Sequence, residues 1–206
     1  MLKIYGQARS RTFRVLWMAN ELGLAYEHIP VSIHVDNAGA KEDWYVKLNP
    51  HARIPTIDDD GTIVWESAAI NIYLARKYGQ GKLWPKTIAE EGNMLKWAFF
   101  VTNDIEPHMV LMFQNRVALP PEKRNALLAD ESEKKLVPGL KALDKQLTNT
   151  AYLSGSEWGL ADCIASSIVY TLFAIKYDLS AYPKLASWLA YSVGRPAALV
   201  ARKLRE

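Results

Sequence analysis

Over the first eighty residues, short alternating apolar segments trade places with longer helical ones. Leu2 to Tyr5 alternates and reads as a strand, which Gly6 ends. Arg11 to Leu22 reads as a helix, because Val15, Leu16, Ala19 and Leu22 fall at i, i+1, i+4 and i+7 on one stripe. Gly23 stands where a helix C-cap is expected. Tyr26 to Ile33 predicts a second strand, parallel to the first, since a crossover helix joins parallel strands. His34 to Lys47 is polar, with a short helix. A third strand, Ile54-Pro55-Thr56-Ile57, opens with a proline. Asp58-Asp59-Asp60-Gly61 carries the Asp-Gly signal of a tight hairpin, and Thr62 to Trp65 returns antiparallel. Glu66-Ser67 then precedes a helix from Ala68 to Tyr78, closed by Gly79.

The pattern changes near residue 80. Residues 81–89 read as a linker, and the rest of the chain has helical periodicity: 90–114, 121–147, 160–176, 183–191, and a tail helix from Pro196. Leu160, Ile164, Ile168, Leu172 and Ile175 step by four, four, four and three, the mark of a buried helix face. The fold class predicted is α/β plus all-α. A βαβ-ββα domain covers residues 1–80 and a helical bundle residues 90–206.

Composition narrows the function. The 206 residues are 50% hydrophobic and 23% charged, as in an ordinary globular protein. A net charge of +3 is too small to argue for nucleic acid and suits small anionic ligands. The single cysteine, Cys163, excludes an intramolecular disulfide and a cysteine-rich metal site, and no metal is expected. The most apolar stretch, Cys163 to Ile175, is interrupted by Ser166, Ser167 and Thr171 and is shorter than the roughly 20 residues that span a bilayer. No apolar run follows Met1, so no targeting segment is expected and the cytoplasm is the expected location.

Four features carry candidate chemistry. Ser10 lies just before the first helix, where unpaired N–H groups and a partial positive charge favour an anion or thiolate. Its hydroxyl suits donation to a ligand thiolate, with Thr12 the alternative; the plain reading of either is a helix N-cap. A cis Ile54–Pro55 bond would turn the Ile54 N–H and C=O outward for a bound peptide, whereas an ordinary trans edge proline would not. Ser67, at a helix start, suits a carboxylate and Glu66 an ammonium group, although the pair also reads as a cap beside a solvated acid. Lys41 and Arg53 flank one loop and suit a second carboxylate, or are two surface charges. Together these describe a site for a peptide with a carboxylate at both ends, an amine at one and a thiol between. Glutathione is such a molecule.

The order Ser10-x-x-x-Arg14, Asn49-Pro50-x-x-Arg53-Ile54-Pro55 and Glu66-Ser67 resembles the cytosolic glutathione transferases, and the resemblance covers the whole chain. The spacing is nearest the phi, delta, theta and beta classes. The resemblance implies a thioredoxin-like N-terminal domain and a C-terminal helical domain holding a hydrophobic-substrate pocket. It implies glutathione as co-substrate, a hydrophobic electrophile as the second substrate, and a homodimer. Ser10 would stabilise the glutathione thiolate, with Thr12 in reserve. Ile54 would pair with the cysteinyl backbone beside a cis Pro55, and Glu66 and Ser67 would bind the γ-glutamyl group. Arg53 stands where the family often has lysine or glutamine. Lys41 matches a basic position facing the glycine carboxylate, and Asp162 a folding motif that usually has serine or threonine where Gly159 stands. Ala52 replaces a common loop glycine, and Tyr5 reads as an aromatic on a strand face. The implied activity is conjugation. The alternatives are glutathione-dependent peroxide or disulfide reduction, dehalogenation or isomerisation, or a non-catalytic binding module of the same fold.

Overall fold

The computed structural model describes residues 1–33 and 39–205. The first part of the polar stretch from His34, residues 34–38, therefore lies outside the described residues. The chain forms two compact units: Met1–Trp84 together with the chain from Arg195 onward, and Pro85–Gly194.

The first unit is a thioredoxin-like mixed sheet with helices. Its strands are β1 (Leu2–Tyr5), β2 (Tyr26–Ile29), β3 (Thr56–Asp59) and β4 (Thr62–Trp65), in the order β2-β1-β3-β4. β1 and β2 are parallel, as the crossover predicts, and the β1–β3 and β3–β4 pairs are antiparallel. β2 stops at Ile29, short of the predicted Ile33, because Pro30 has no N–H to continue the ladder. Asp60 and Gly61 turn the β3–β4 hairpin with φ of 51° and 91°, the left-handed pair that matches strand twist. After residue 38 come a single 3₁₀ turn, Gly39–Lys41, and the short helix α2 (Asp43–Val46).

Helix α1 (Thr12–Glu21) buries far more than the single stripe its periodicity predicts: Thr12, Phe13 and Val15 to Ala19 are all buried. The cause is the tail helix α9 (Pro196–Arg205), which packs along α1 instead of joining the helical bundle predicted over 90–206. Two small residues of α9, Ala198 and Ala201, are fully buried. Arg195 grips Glu21 through two N–H···O bonds of 2.8 Å, and Trp17 Nε1 donates to the same carboxylate at 3.0 Å. A bidentate pair that is this well buried fixes geometry, and removing either partner would strand the other charge.

α3 (Ser67–Tyr78) is held to the sheet by Asp59. Instead of forming part of the turn, Asp59 ends β3 with its side chain buried. The carboxylate accepts from Lys77 Nζ at 2.7 Å, Tyr73 OH at 2.8 Å and Tyr78 OH at 2.9 Å. Burial pushes the Asp59 carboxyl up, but these donors outweigh it and hold it below its usual value.

The second unit is helical: α4 (Ile88–Phe100), α5 (Glu106–Phe113), α6 (Ala126–Asn149), α7 (Leu160–Ala174) and α8 (Pro183–Val193). The helix predicted over 90–114 is split by a wide π turn, Val101–Ile105. Pro107, which has no N–H for an i→i−4 bond, is the second residue of the helix that follows it. α6 starts later than predicted, after Pro120-Pro121 and a 3₁₀ turn, with Asn125 Oδ1 accepting from Leu128 N at 3.0 Å. At the start of α7 the buried Asp162 accepts from the backbone N–H groups of Leu153, Ser154 and Gly159 and from Trp188 Nε1, at 2.7–3.1 Å. Gly159 has no side chain, so only this half of a capping box forms. Cys163 is buried.

Two stability predictions come from this arrangement. Ala52 adopts φ 51°, a conformation that costs an L-residue about 1–2 kcal/mol and glycine almost nothing. Ala52→Gly should therefore raise the thermal midpoint by a few degrees, corresponding to about 1 kcal/mol; an unchanged or lowered midpoint would show that the strain is absent. Asp59→Asn should lower the midpoint at neutral pH. Because the folded carboxyl lies below its unfolded value, its contribution is complete above the unfolded pKa and fades as pH falls through the folded one. The gap between the two proteins, followed by thermal melts, should close in that acidic range. A gap that does not change with pH would contradict the ion-pair account.

Candidate active site

Three segments converge on Gly6, at the end of β1. Its φ is 134°, and a Cβ there would lie 2.1 Å from Thr12 Oγ1 and 2.9 Å from the Ile54 Cβ. Only a residue without a side chain lets the start of α1 and the Ile54 loop approach this closely. The Gly6 N–H donates to the Ile29 carbonyl at 2.9 Å. Its carbonyl lies 2.8 Å from His28 Nε2, which therefore carries the proton.

The chain then turns through residues 7–11 into α1. Ser10 is partly exposed at this entry. Its hydroxyl donates to the Gln7 carbonyl at 2.6 Å, lies 3.0 Å from Thr12 Oγ1 and accepts from the Thr12 N–H at 3.1 Å. Thr12, by contrast, is 0% exposed. The residue before α1 is Arg11, which makes no side-chain cap, and the first turn holds no acid. The positive end of the helix is thus not neutralised from within its own first turn.

The Asn49–Pro55 loop is pinned from below. Tyr45 OH and Asn49 Nδ2 both donate to the Arg53 carbonyl, at 2.6 and 2.8 Å, and both also contact Thr56 Oγ1. Asn49 Oδ1 accepts from the His51 N–H at 3.0 Å. The Ile54–Pro55 bond is cis. Among the described residues, no backbone group bonds to the N–H or C=O of Ile54. The Arg53 side chain is exposed.

Glu66 precedes α3 with φ 71°, a strained value for a side-chain-bearing residue of the kind that clusters at functional sites. Ser67 is buried as the first residue of the helix and does not act as its cap. Its Oγ accepts from Arg14 Nη1 at 3.3 Å, which ties the start of α3 to α1. Ser10, Ile54 and Ser67 are thereby gathered around the first turns of α1. Lys41 is exposed on a shallow open groove it shares with Trp44 and Lys47.

Some of the machinery was not visible in the sequence. Tyr45 carries the Arg53 carbonyl from below, and nothing in its sequence context marks it for that task. Tyr5 lies in an apolar cluster with Val31, Ala40, Tyr45 and Ile54. Burial, then Asp58 and Glu27, push its phenol up, so it serves as core and not as a ready hydroxyl. Met109 and Met112 of α5 are fully buried. Among the described residues, no group of His, Cys, Asp and Glu is arranged to hold a metal, and no helix is long and apolar enough to cross a membrane.

Comparison with known proteins identifies the family of the chain. Residues 1–76 match the glutathione S-transferase N-terminal domain, and residues 100–196 match the C-terminal domain. The glutathione S-transferase GstB of Escherichia coli is 30% identical over 201 residues, covering 96% of this chain and 95% of its own. The glutathione S-transferase hmp2 of Hypomyces subiculosus is 32% identical over 202 residues, covering 92% of each. A theta class glutathione S-transferase from Xanthomonas axonopodis pv. citri, solved with glutathione bound, superposes with a TM-score of 0.90 at 28% identity, over 97% of this chain and 96% of that one. With both halves matched, and with relatives aligned over nearly their whole length, this chain belongs to the glutathione S-transferase family.

Proposed function

We propose that this protein is a glutathione transferase in which the Ser10 hydroxyl stabilises the glutathione thiolate for attack on a hydrophobic electrophile. The observation that carries the reading is the placement of Ser10. It is a partly exposed hydroxyl at the start of α1, whose first turn holds no acid, near an Ile54 backbone pair that has no backbone partner among the described residues. A helix N-terminus lowers a thiol pKa, and a hydroxyl donor adds to that effect. The thiolate is the nucleophile, so the step gained is a larger reactive fraction near neutral pH.

The remaining roles are set by the shape of the ligand. The cysteinyl backbone pairs with the Ile54 N–H and C=O as an added strand. The γ-glutamyl carboxylate sits at Ser67 and the start of α3, with its ammonium group at Glu66. Arg53 and Lys41 face the glycine carboxylate. The first unit, residues 1–84 with the chain from Arg195 onward, forms the glutathione-binding domain, and the helical unit supplies the apolar surface for the electrophile. The enzyme acts as a cytoplasmic homodimer, as its relationship to the family supports.

Tryptophan fluorescence titrated with glutathione, followed by addition of 1-chloro-2,4-dinitrobenzene, tests the reading. Saturable binding with conjugation is expected. Ser10→Ala should cut turnover by on the order of tenfold to a hundredfold, the worth of a hydrogen bond to a charged group, with glutathione affinity nearly intact. Unchanged turnover would remove Ser10 from the mechanism. Glu66→Ala and Ser67→Ala should each weaken glutathione binding roughly tenfold, and normal affinity in both would end the γ-glutamyl assignment. Binding without conjugation would favour peroxide or disulfide chemistry on the same thiolate.

A further inference from the structure

The Ser10 hydroxyl has one proton and two acceptors for it within the protein: the Gln7 carbonyl at 2.6 Å and Thr12 Oγ1 at 3.0 Å. To donate to a glutathione sulfur, that proton has to turn away from both. The Gln7 carbonyl tolerates the loss, because it also accepts the Ser10 N–H at 3.2 Å. Thr12 is 0% exposed, held in the space that Gly6 leaves, and Ser10 Oγ is the partner of its hydroxyl among the described residues. A buried hydroxyl needs an acceptor for its own proton. Once the Ser10 proton turns outward, Ser10 Oγ offers that acceptor 3.0 Å away.

We propose that Thr12 is a positioning residue that makes Ser10 selective for the thiolate over the thiol, an inference that rests on Ser10 being the hydroxyl that meets the sulfur. When glutathione binds, the Ser10 O–H turns from Gln7 to the sulfur, and the Thr12 O–H turns onto Ser10 Oγ. A serine hydroxyl has one donor and two acceptor positions. Both acceptor positions are then filled from Thr12, one by its N–H and one by its O–H. Ser10 is left with only its proton to offer. A thiolate finds a donor there, whereas a thiol S–H finds no acceptor. No proton passes between the two hydroxyls: each rotates about its C–O bond. The S–H bond of the thiol breaks heterolytically, its electron pair stays on sulfur, and the proton leaves to solvent water. Linked hydroxyls polarise one another, so the Thr12 bond also strengthens the one from Ser10 to sulfur.

The test is the pH dependence of kcat/KM for glutathione conjugation in the wild type, Thr12→Val, Thr12→Ser and Ser10→Ala, with glutathione affinity and melting followed alongside. Thr12→Val should move the acidic limb of the profile to higher pH. That gives a roughly three- to tenfold loss below the break, with the rate recovered at alkaline pH. Thr12→Ser should restore the wild-type profile, and Thr12→Ala serves if valine is not accommodated beneath Gly6. Ser10→Ala should shift the limb at least as far. A shifted Ser10→Ala profile beside an unshifted Thr12→Val profile would overturn the role of Thr12 and leave that of Ser10 standing. A Thr12→Val loss that is equal at every pH would mark Thr12 as merely structural and overturn the proposal as well. Unshifted profiles in both variants would remove Ser10 from the mechanism and Thr12 with it.

Discussion

The candidate site depends on one close approach. At Gly6 the end of the first strand, the start of α1 and the Ile54 loop come within side-chain distance of one another, with no room for a Cβ between them. Ser10 and Ile54, far apart in sequence, are thereby held over the same end of the sheet. Residue 6 is also fixed on its other side. Its N–H is bound to Ile29 and its carbonyl to His28, so the strand cannot give way where the loop and the helix press on it. In the proposed mechanism, a fixed scaffold of this kind would let the Ser10 hydroxyl and the helix terminus act together on one sulfur atom, because neither backbone position has to be moved into place.

The rest of the first unit serves to keep α1 still. Arg195 and Glu21 bind its last turn, Arg14 reaches Ser67 from its first half, and the Arg205 guanidinium lies 5.3 Å over the ring of Phe13 in its first turn. The buried Asp59 secures α3 to the sheet through Lys77, Tyr73 and Tyr78. These polar anchors cost desolvation and are stabilising only while every partner is in place. In return they fix directions, which apolar packing alone does not. The tail helix therefore belongs to the architecture of the first unit, even though the chain reaches it only after building the whole helical unit.

Much of this was legible in the residues. The alternation of Leu2 to Tyr5, the Asp60-Gly61 hairpin and the apolar steps of α7 are local signals, and each produced the expected element. The order Ser10, Ile54-Pro55 and Glu66-Ser67 marked the candidate site because these residues stand at strand ends and helix starts, which sequence shows. The features that stayed hidden were non-local. Nothing in Pro196 to Arg205 announces that it packs on α1 instead of on the helices before it. Asp59 looked like a turn residue among three aspartates, because its partners lie a helix away. Tyr45 has no motif, and its value lies in meeting the Arg53 carbonyl eight residues on. Thr12 and Ser10 are equivalent candidate hydroxyls in the sequence, and what the sequence does not show is their burial: Thr12 is covered and Ser10 is partly open.

The most direct measurement of thiolate stabilisation is the ultraviolet absorbance of glutathione bound to the wild-type protein, titrated against pH and compared with free glutathione. If Ser10 and the start of α1 hold the thiolate, the band persists in the complex to a pH well below that at which free glutathione protonates. If bound and free glutathione titrate together, the site binds the tripeptide without activating it, and the proposed mechanism is contradicted.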